Sequence, residues 1–206
     1  NMKLAILILT SSSFILGAEF LKRKFLLPAT FTRRAIHIGT AVVAGVAPFY
    51  VTKMEIFWVS VIFAVILFIG RSYYLFSAIH SVERHTFGEV YLPLGVAFTA
   101  LFFLPQNMQA FQFGVFILGI SDAVGGLIGE KIGKYQISIF GNKKTAEGSL
   151  AFFVTSLLVL FIFSPVINYQ LFLIPVLLTL AELGLVYGLD NLVLPIFGAL
   201  LFKVFF

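Results

Sequence analysis

Two carboxylates, Asp122 and Glu182, stand inside segments otherwise apolar enough to lie in hydrocarbon, and between them runs Asn142-Lys143-Lys144-Thr145-Ala146-Glu147-Gly148. A charge at bilayer depth costs about 2.5 to 3.5 kcal/mol on insertion scales, so an acid there is a functional residue by default and needs a metal ion, a proton or a basic group as partner. The stretch from Asn142 to Ser149 gathers two lysines, a threonine hydroxyl, a carboxylate and a glycine just ahead of a long apolar run. Backbone N–H groups at a helix start favour anions, and a lysine beside them acts as a point charge for phosphate. The plainer reading is that Lys143 and Lys144 anchor a membrane boundary while Thr145 and Glu147 cap the helix. The stretch is not a Walker sequence.

Other groups invite the same comparison. Gly125, Gly129 and Gly133 recur every four residues, a spacing that lets helices pack closely, and Asp122 lies on nearly the same face. A bare packing seam does not need a carboxylate. Arg33 and His37 stand one helical turn apart, although two arginines, Arg33 and Arg34, at a boundary commonly do no more than set topology. Asp190 is an N-cap by residue type, and Glu89 reads as an interfacial acid before a proline-broken segment. His80 and His85 lie in a polar stretch without paired ligand spacing and are not read as a metal site.

Long apolar runs must position these groups. Of 206 residues, 60% are hydrophobic and 11% charged, and the mean hydropathy is +1.06. That balance excludes an ordinary soluble domain. Runs that suit hydrocarbon cover residues 4–21, 35–51, 56–70, 91–104, 111–129, 148–167, 171–188 and 192–206. A spanning helix takes about 17 to 25 residues, so the third, fourth and eighth are short. The expectation is an all-α, polytopic transmembrane bundle of seven to eight helices forming a single integral membrane domain over 1–206. The first run is followed by Lys22-Arg23-Lys24, the reverse of a cleaved leader's charge order, and reads as a retained helix. No cysteine is present, so thiolate metal sites and disulfides are excluded. The basic charges are dispersed among apolar runs and form no basic domain, which argues against a nucleic-acid partner.

With an outward amino terminus and eight crossings, Lys22, Arg23, Lys24, Arg33, Arg34, Arg71, Arg84, Lys131, Lys134, Lys143 and Lys144 share one side, and Lys3, Lys53 and Lys203 the other. The positive-inside rule makes the first side cytoplasmic. Asp122, Glu182, Glu147, Asp190 and His37 then all converge on that side.

The ordered set Asp122…Gly129…Gly133…Lys143-Lys144-Thr145-x-Glu147-Gly148, with Arg33-Arg34-x-x-His37 upstream and Asp190-Asn191-x-x-x-Pro195 downstream, resembles the dolichol kinase / phytol kinase family of CTP-dependent membrane lipid kinases. The resemblance implies an enzyme that moves the terminal phosphoryl group of CTP, or UTP, to the hydroxyl of a long-chain lipid alcohol with Mg²⁺. It makes 130–147 a cytoplasmic nucleotide-binding loop and assigns Asp122, Lys143, Lys144, Thr145, Glu147 and Gly148 to the nucleotide region, with Gly125, Gly126 and Gly129 beside them. Gly125 departs from the alanine often found in that pattern. On this reading Asp122 and Glu147 hold the metal, Lys143 and Lys144 bind the triphosphate, Arg33 or Arg34 adds a clamp, and His37, Glu182 and Asp190 are open alternatives for the general base. The related phosphatidate cytidylyltransferases carry a carboxyl-terminal Lys-Asp run and a His-Gly-Gly that this chain lacks. A transporter is the rival from another class, since intramembrane acids and broken helices also build ion pathways. The sequence leaves the lipid's chain length and the oligomeric state open.

Overall fold

Each apolar run becomes a helix, and the polar breaks between runs supply the caps. The structure is a computed structural model and describes residues 2–73, 86–139, 142–164 and 168–206. In chain order the elements are α1 (Met2–Phe25), α2 (Ala29–Val46), α3 (Lys53–Ser72), α4 (Gly88–Phe103), α5 (Met108–Phe116), α6 (Asp122–Ile132), β1 (Gln136–Ile139), β2 (Asn142–Thr145), α7 (Ala146–Phe163), α8 (Tyr169–Gly184) and α9 (Asp190–Phe205). A π-helical turn over Ile117–Ser121 joins α5 to α6, making one rod, Met108–Ile132. Arg84, His80 and His85 lie outside the described residues.

Thr52 and Glu55 form a reciprocal capping box at the start of α3, and Asn107 accepts from the N–H of Ala110 at 2.9 Å to start α5. Asn168 does the same for α8, accepting from the N–H groups of Gln170 and Leu171 at 3.0 and 3.3 Å. These short polar side chains satisfy donors that an apolar surrounding cannot.

The protein is helical as expected, with one addition: part of the expected loop over 130–147 is a two-stranded antiparallel hairpin, Gln136 opposite Thr145 and Ile137 opposite Lys144. Among the described residues, four helices are long and apolar enough to cross a membrane: Met2–Phe25, Lys53–Ser72, Met108–Ile132 and Ala146–Phe163. The apolar helices α4 and α8 are shorter, at 16 residues each. Large apolar side chains such as Ile62, Phe172 and Leu180 remain exposed on the outer faces.

The core is built of Phe111, Phe113, Ile117, Phe152, Leu160, Ile174, Leu178 and Leu194, all fully buried. Glycine lets the backbones approach where helices cross. A Cβ on Gly114 would come within 2.1 Å of the Pro195 carbonyl oxygen, and one on Gly119, in the π turn, within 2.0 Å of the Ala41 Cβ. These contacts seat the rod against α9 on one side and α2 on the other.

Gly114→Ala therefore destabilises the bundle by about 1–3 kcal/mol, the usual range for overpacking. Gly17→Ala, whose new methyl meets nothing within 4 Å, is neutral or slightly stabilising. Thermal unfolding of the two purified variants in detergent checks the contrast.

Candidate functional site

Where the amino-terminal ends of α2, α4, α7 and α9 meet the carboxyl-terminal ends of α6 and α8, a cavity of about 230 Å³ opens at one end of the bundle. At about 30 Å³ per liquid water, that is room for a polyatomic ligand rather than a lone ion. Adjacent helices must run in opposite directions for these ends to meet, so one-sided convergence follows from the alternation of rods.

Lys144 enters from β2 and its Nζ donates to the Glu182 Oε1 of α8 at 2.5 Å, and also to the Glu182 carbonyl oxygen. Both side chains are largely buried, and the contact bridges two elements 38 residues apart. Asp122, placed at the head of α6 by the π turn, lies 3.9 Å through its Oδ2 from the Nδ1 of His37 on α2. Single π turns inside α-helices recur at functional positions. Lys144, Arg33, Glu182 and Asp190 are the charged groups close enough to act on Asp122. Asp190 itself is the first residue of α9 and not its cap, with Oδ1 accepting from the Asn191 N–H at 3.0 Å.

Thr145 caps α7, accepting from the Gly148 N–H at 3.2 Å. Its hydroxyl also occupies the space beside Gly129, where a Cβ would come within 2.8 Å of Oγ1, and Gly148 packs on the Gly125 carbonyl. The glycine seam thus does what small residues do between helices. It brings the lysine strand against Asp122's helix while Gly125, Gly126, Gly129 and Gly148 present backbone to the cavity. Lys143 stands at the exposed rim.

Two expected residues take other work. Glu147 does not border the cavity: its Oε1 accepts from the backbone N–H groups of Lys134 at 3.0 Å and Tyr135 at 3.4 Å, bracing the strand β1 against α7. The pairing of Glu147 with Asp122 around a metal is not met in this geometry, because the hairpin turns the carboxylate toward donors that otherwise go unpaired. Arg34 forms a two-pronged ion pair with Glu130, 2.7 Å on each prong, packed under Gly126. Its charge is committed there, and Arg33, one residue before it, borders the same cavity. Glu89 is buried and paired with Arg71, not interfacial.

Other cavity residues, Glu130 and Tyr187, went unnoticed in the sequence, and Asn191 was noticed only as part of the downstream motif. Glu130 lies four residues after Gly126, hence on the same helix face, and that spacing was the available signal. Asn191 is buried with its Nδ2 donating to the Gly88 carbonyl at 2.8 Å and its Oδ1 without a partner. Tyr187 has φ +58° and Gly188 φ +86°, and Gly188 packs where a Cβ would strike Gly88 at 2.6 Å. A tyrosine in the left-handed region is strained, and strain of this kind clusters at functional sites. No local pattern announced it.

The donor set fits a divalent cation shared with a phosphate ligand. Among the described residues no group of three or more His, Asp or Glu is arranged to hold a metal by itself, while Asp122 and Asp190 border one cavity and act on one another. Magnesium ordinarily takes one or two carboxylates and completes its shell with phosphate and water.

Fold and cleft together define a helical bundle with large apolar outer faces and a mixed-charge cavity at one end. The chain is 28% identical over 196 residues to the phytol kinase of Synechocystis sp., covering 91% of this chain and 84% of that protein. A shorter stretch of 76 residues, 37% of the chain, is 34% identical to an uncharacterized protein of Methanocaldococcus jannaschii. No family model and no solved structure matches the chain. The likeness to the dolichol kinase / phytol kinase family, read first from motifs, is carried at family level by nearly the whole chain.

Replacing Arg34 by Met removes both of its hydrogen bonds to Glu130 and lowers stability by about 2 kcal/mol, typical for losing hydrogen bonds to a charged group. Adding Glu130→Leu recovers most of that loss, since removing both charges is far less costly than removing one. Thermal unfolding of wild type, single and double variants in detergent measures the cycle.

Proposed function

We propose that the protein is an integral membrane lipid alcohol kinase, with its cleft on the cytoplasmic side, that transfers the terminal phosphoryl group of CTP, or UTP, to the hydroxyl of a long-chain isoprenoid or similar alcohol. The observation that carries this reading is the meeting of Lys144, Asp122 and His37 in one cavity, in a chain related over most of its length to a phytol kinase. The exposed apolar side chains of the outer faces support insertion into a bilayer. The excess of Lys and Arg at the cleft end supports a cytoplasmic cleft.

Phosphoryl transfer asks a protein mainly for positioning and for balancing charge on phosphate oxygens. The alcohol oxygen attacks the terminal phosphorus, the bond from that phosphorus to the bridging oxygen breaks, and a nucleoside diphosphate leaves with the bond's electron pair. Lys144 is pre-positioned by Glu182 to meet a phosphate oxygen, and Lys143 and Arg33 add positive charge at the rim and the inner wall. The N–H groups at the start of α7 are taken up by the Tyr135 carbonyl and the Thr145 hydroxyl, so α7 adds only the positive end of its dipole beside the cavity. The hydroxyl's proton passes to an imidazole or carboxylate of the cleft, where His37, Glu182 and Asp190 are the available groups. A magnesium ion held by Asp122 and Asp190 would neutralise charge on the outer phosphates.

A product assay with radiolabelled CTP, UTP and ATP over a panel of lipid alcohols tests the reading. A labelled lipid phosphate is expected, whereas a CDP-lipid with release of pyrophosphate would make the protein a cytidylyltransferase, and neither product would return attention to transport. In the same assay Asp122→Asn lowers turnover by roughly 100-fold or more while the protein stays folded. Glu147→Gln, acting only on the hairpin, stays within a few-fold of wild type. Equal losses in the two variants would overturn the assignment of Asp122 to the cleft and Glu147 to the hairpin.

A further inference from the structure

We propose that the narrow apolar channel between α1, α2, α3 and α4 holds the single hydrocarbon chain of the acceptor and delivers its hydroxyl to His37 at the mouth of the polar cleft. The inference rests on the lipid alcohol kinase reading above and names the part of the molecule that selects the lipid. The channel is walled by Ile15, Ile36, Val43, Val59, Phe63 and Leu67, and its lining is overwhelmingly hydrocarbon.

Its mouth is what ties it to the chemistry. Arg33 and His37 border both the channel and the polar cavity, so the two spaces meet at these side chains. The His37 Nδ1 is buried and has no hydrogen-bond partner, and the nearest carboxylate oxygen, that of Asp122, stands at 3.9 Å, beyond hydrogen-bond reach. A buried ring nitrogen left without a partner calls for a ligand group. A hydroxyl arriving from the apolar side satisfies it, and it does so next to Asp122. Glu89 also lines the channel at this end, paired with Arg71.

Shape restricts the occupant. The channel is the narrower of the two spaces, about 70 Å³ against about 230 Å³ in the polar cavity, which leaves no place for two tails side by side. Its walls extend along α2 from Arg33 to Ala47, roughly 21 Å at about 1.5 Å per residue. That exceeds half of a hydrocarbon core about 30 Å thick. Ser60 and Val43 line the far half, near the end marked by Ile56, Ala47 and Val96. Val43 lies six residues beyond His37, about 9 Å along α2, so a twenty-carbon isoprenoid alcohol whose hydroxyl sits at His37 passes it and a five-carbon one ends before it.

The test uses the full chain in detergent or nanodiscs. Ser60→Phe and Val43→Phe are expected to lower the ratio of kcat/KM for a twenty-carbon over a five-carbon isoprenoid alcohol by about tenfold or more, the size of effect a blocked apolar pocket gives. Val65→Phe, on the exposed face of α3, leaves the ratio at the wild-type value. In parallel, a twenty-carbon alcohol with a diazirine at its far end should label peptides of α1 to α4 in the wild-type protein. Ratios unchanged in both blocked variants, or labelling confined to other helices, overturn the channel even when lipid phosphate is made. If the wild type phosphorylates no alcohol, the kinase reading fails by itself and the labelled peptides alone decide the channel. If a blocked variant does not fold, the wild-type labelling decides as well.

Discussion

A cation carried into an apolar bundle must find an anion, because no water is there to take its place. Among the described residues, Lys144 with Glu182, Arg34 with Glu130, and Arg71 with Glu89 meet that requirement at the cleft end. They join β2 to α8, α2 to α6, and α3 to α4, so the charges that the apolar surroundings force together also fix which helix ends meet. Replacing such pairs by apolar side chains would cost the bundle little, as buried ion pairs seldom add net stability. What they give is position. Lys144 sets its ammonium against Glu182 at the wall of the cavity that Asp122 also borders.

The glycines make this arrangement possible without adding to it chemically. Gly125, Gly129 and Gly148 remove side chains from the line where α6 meets α7, and Thr145 fills the gap with a hydroxyl already occupied in capping. A larger residue along that seam would lift β2 away from α6 and separate Lys144 from Asp122. The packing reading and the functional reading of these glycines are therefore not rivals. Close packing is the means by which backbone and lysine reach the cavity.

Much of this was legible because hydrophobic runs, caps and helical spacing are local signals. The eight apolar runs became helices nearly as bounded, and Arg33 and His37 share a face because four residues make about one turn. The hairpin was missed although Gln136-Ile137-Ser138-Ile139 alternates polar and apolar, a strand's own period. That miss sent Glu147 to the wrong place, since only the docked strand supplies the Lys134 and Tyr135 N–H groups that hold its carboxylate. Glu89 and Glu130 were misjudged or passed over for another reason. Their partners lie 18 and 96 residues away, and no spacing rule connects them.

The charge left in the cleft bears on what it binds under the proposed reading. Lys144 is engaged by Glu182 and Arg34 by Glu130, while Asp122 has no hydrogen-bonded cation at its carboxylate among the contacts of the cleft and feels Asp190 and Glu182 as further negative neighbours. A triphosphate brings several more negative charges into the same space. Acids and phosphates repel unless a cation lies between them, and two carboxylates with phosphate oxygens are the ligand set magnesium prefers. An anion-binding loop alone would have been better built without Asp122 and Asp190. Under the proposed reading, their presence beside Lys144 suits a metal-bound nucleotide better than free phosphate.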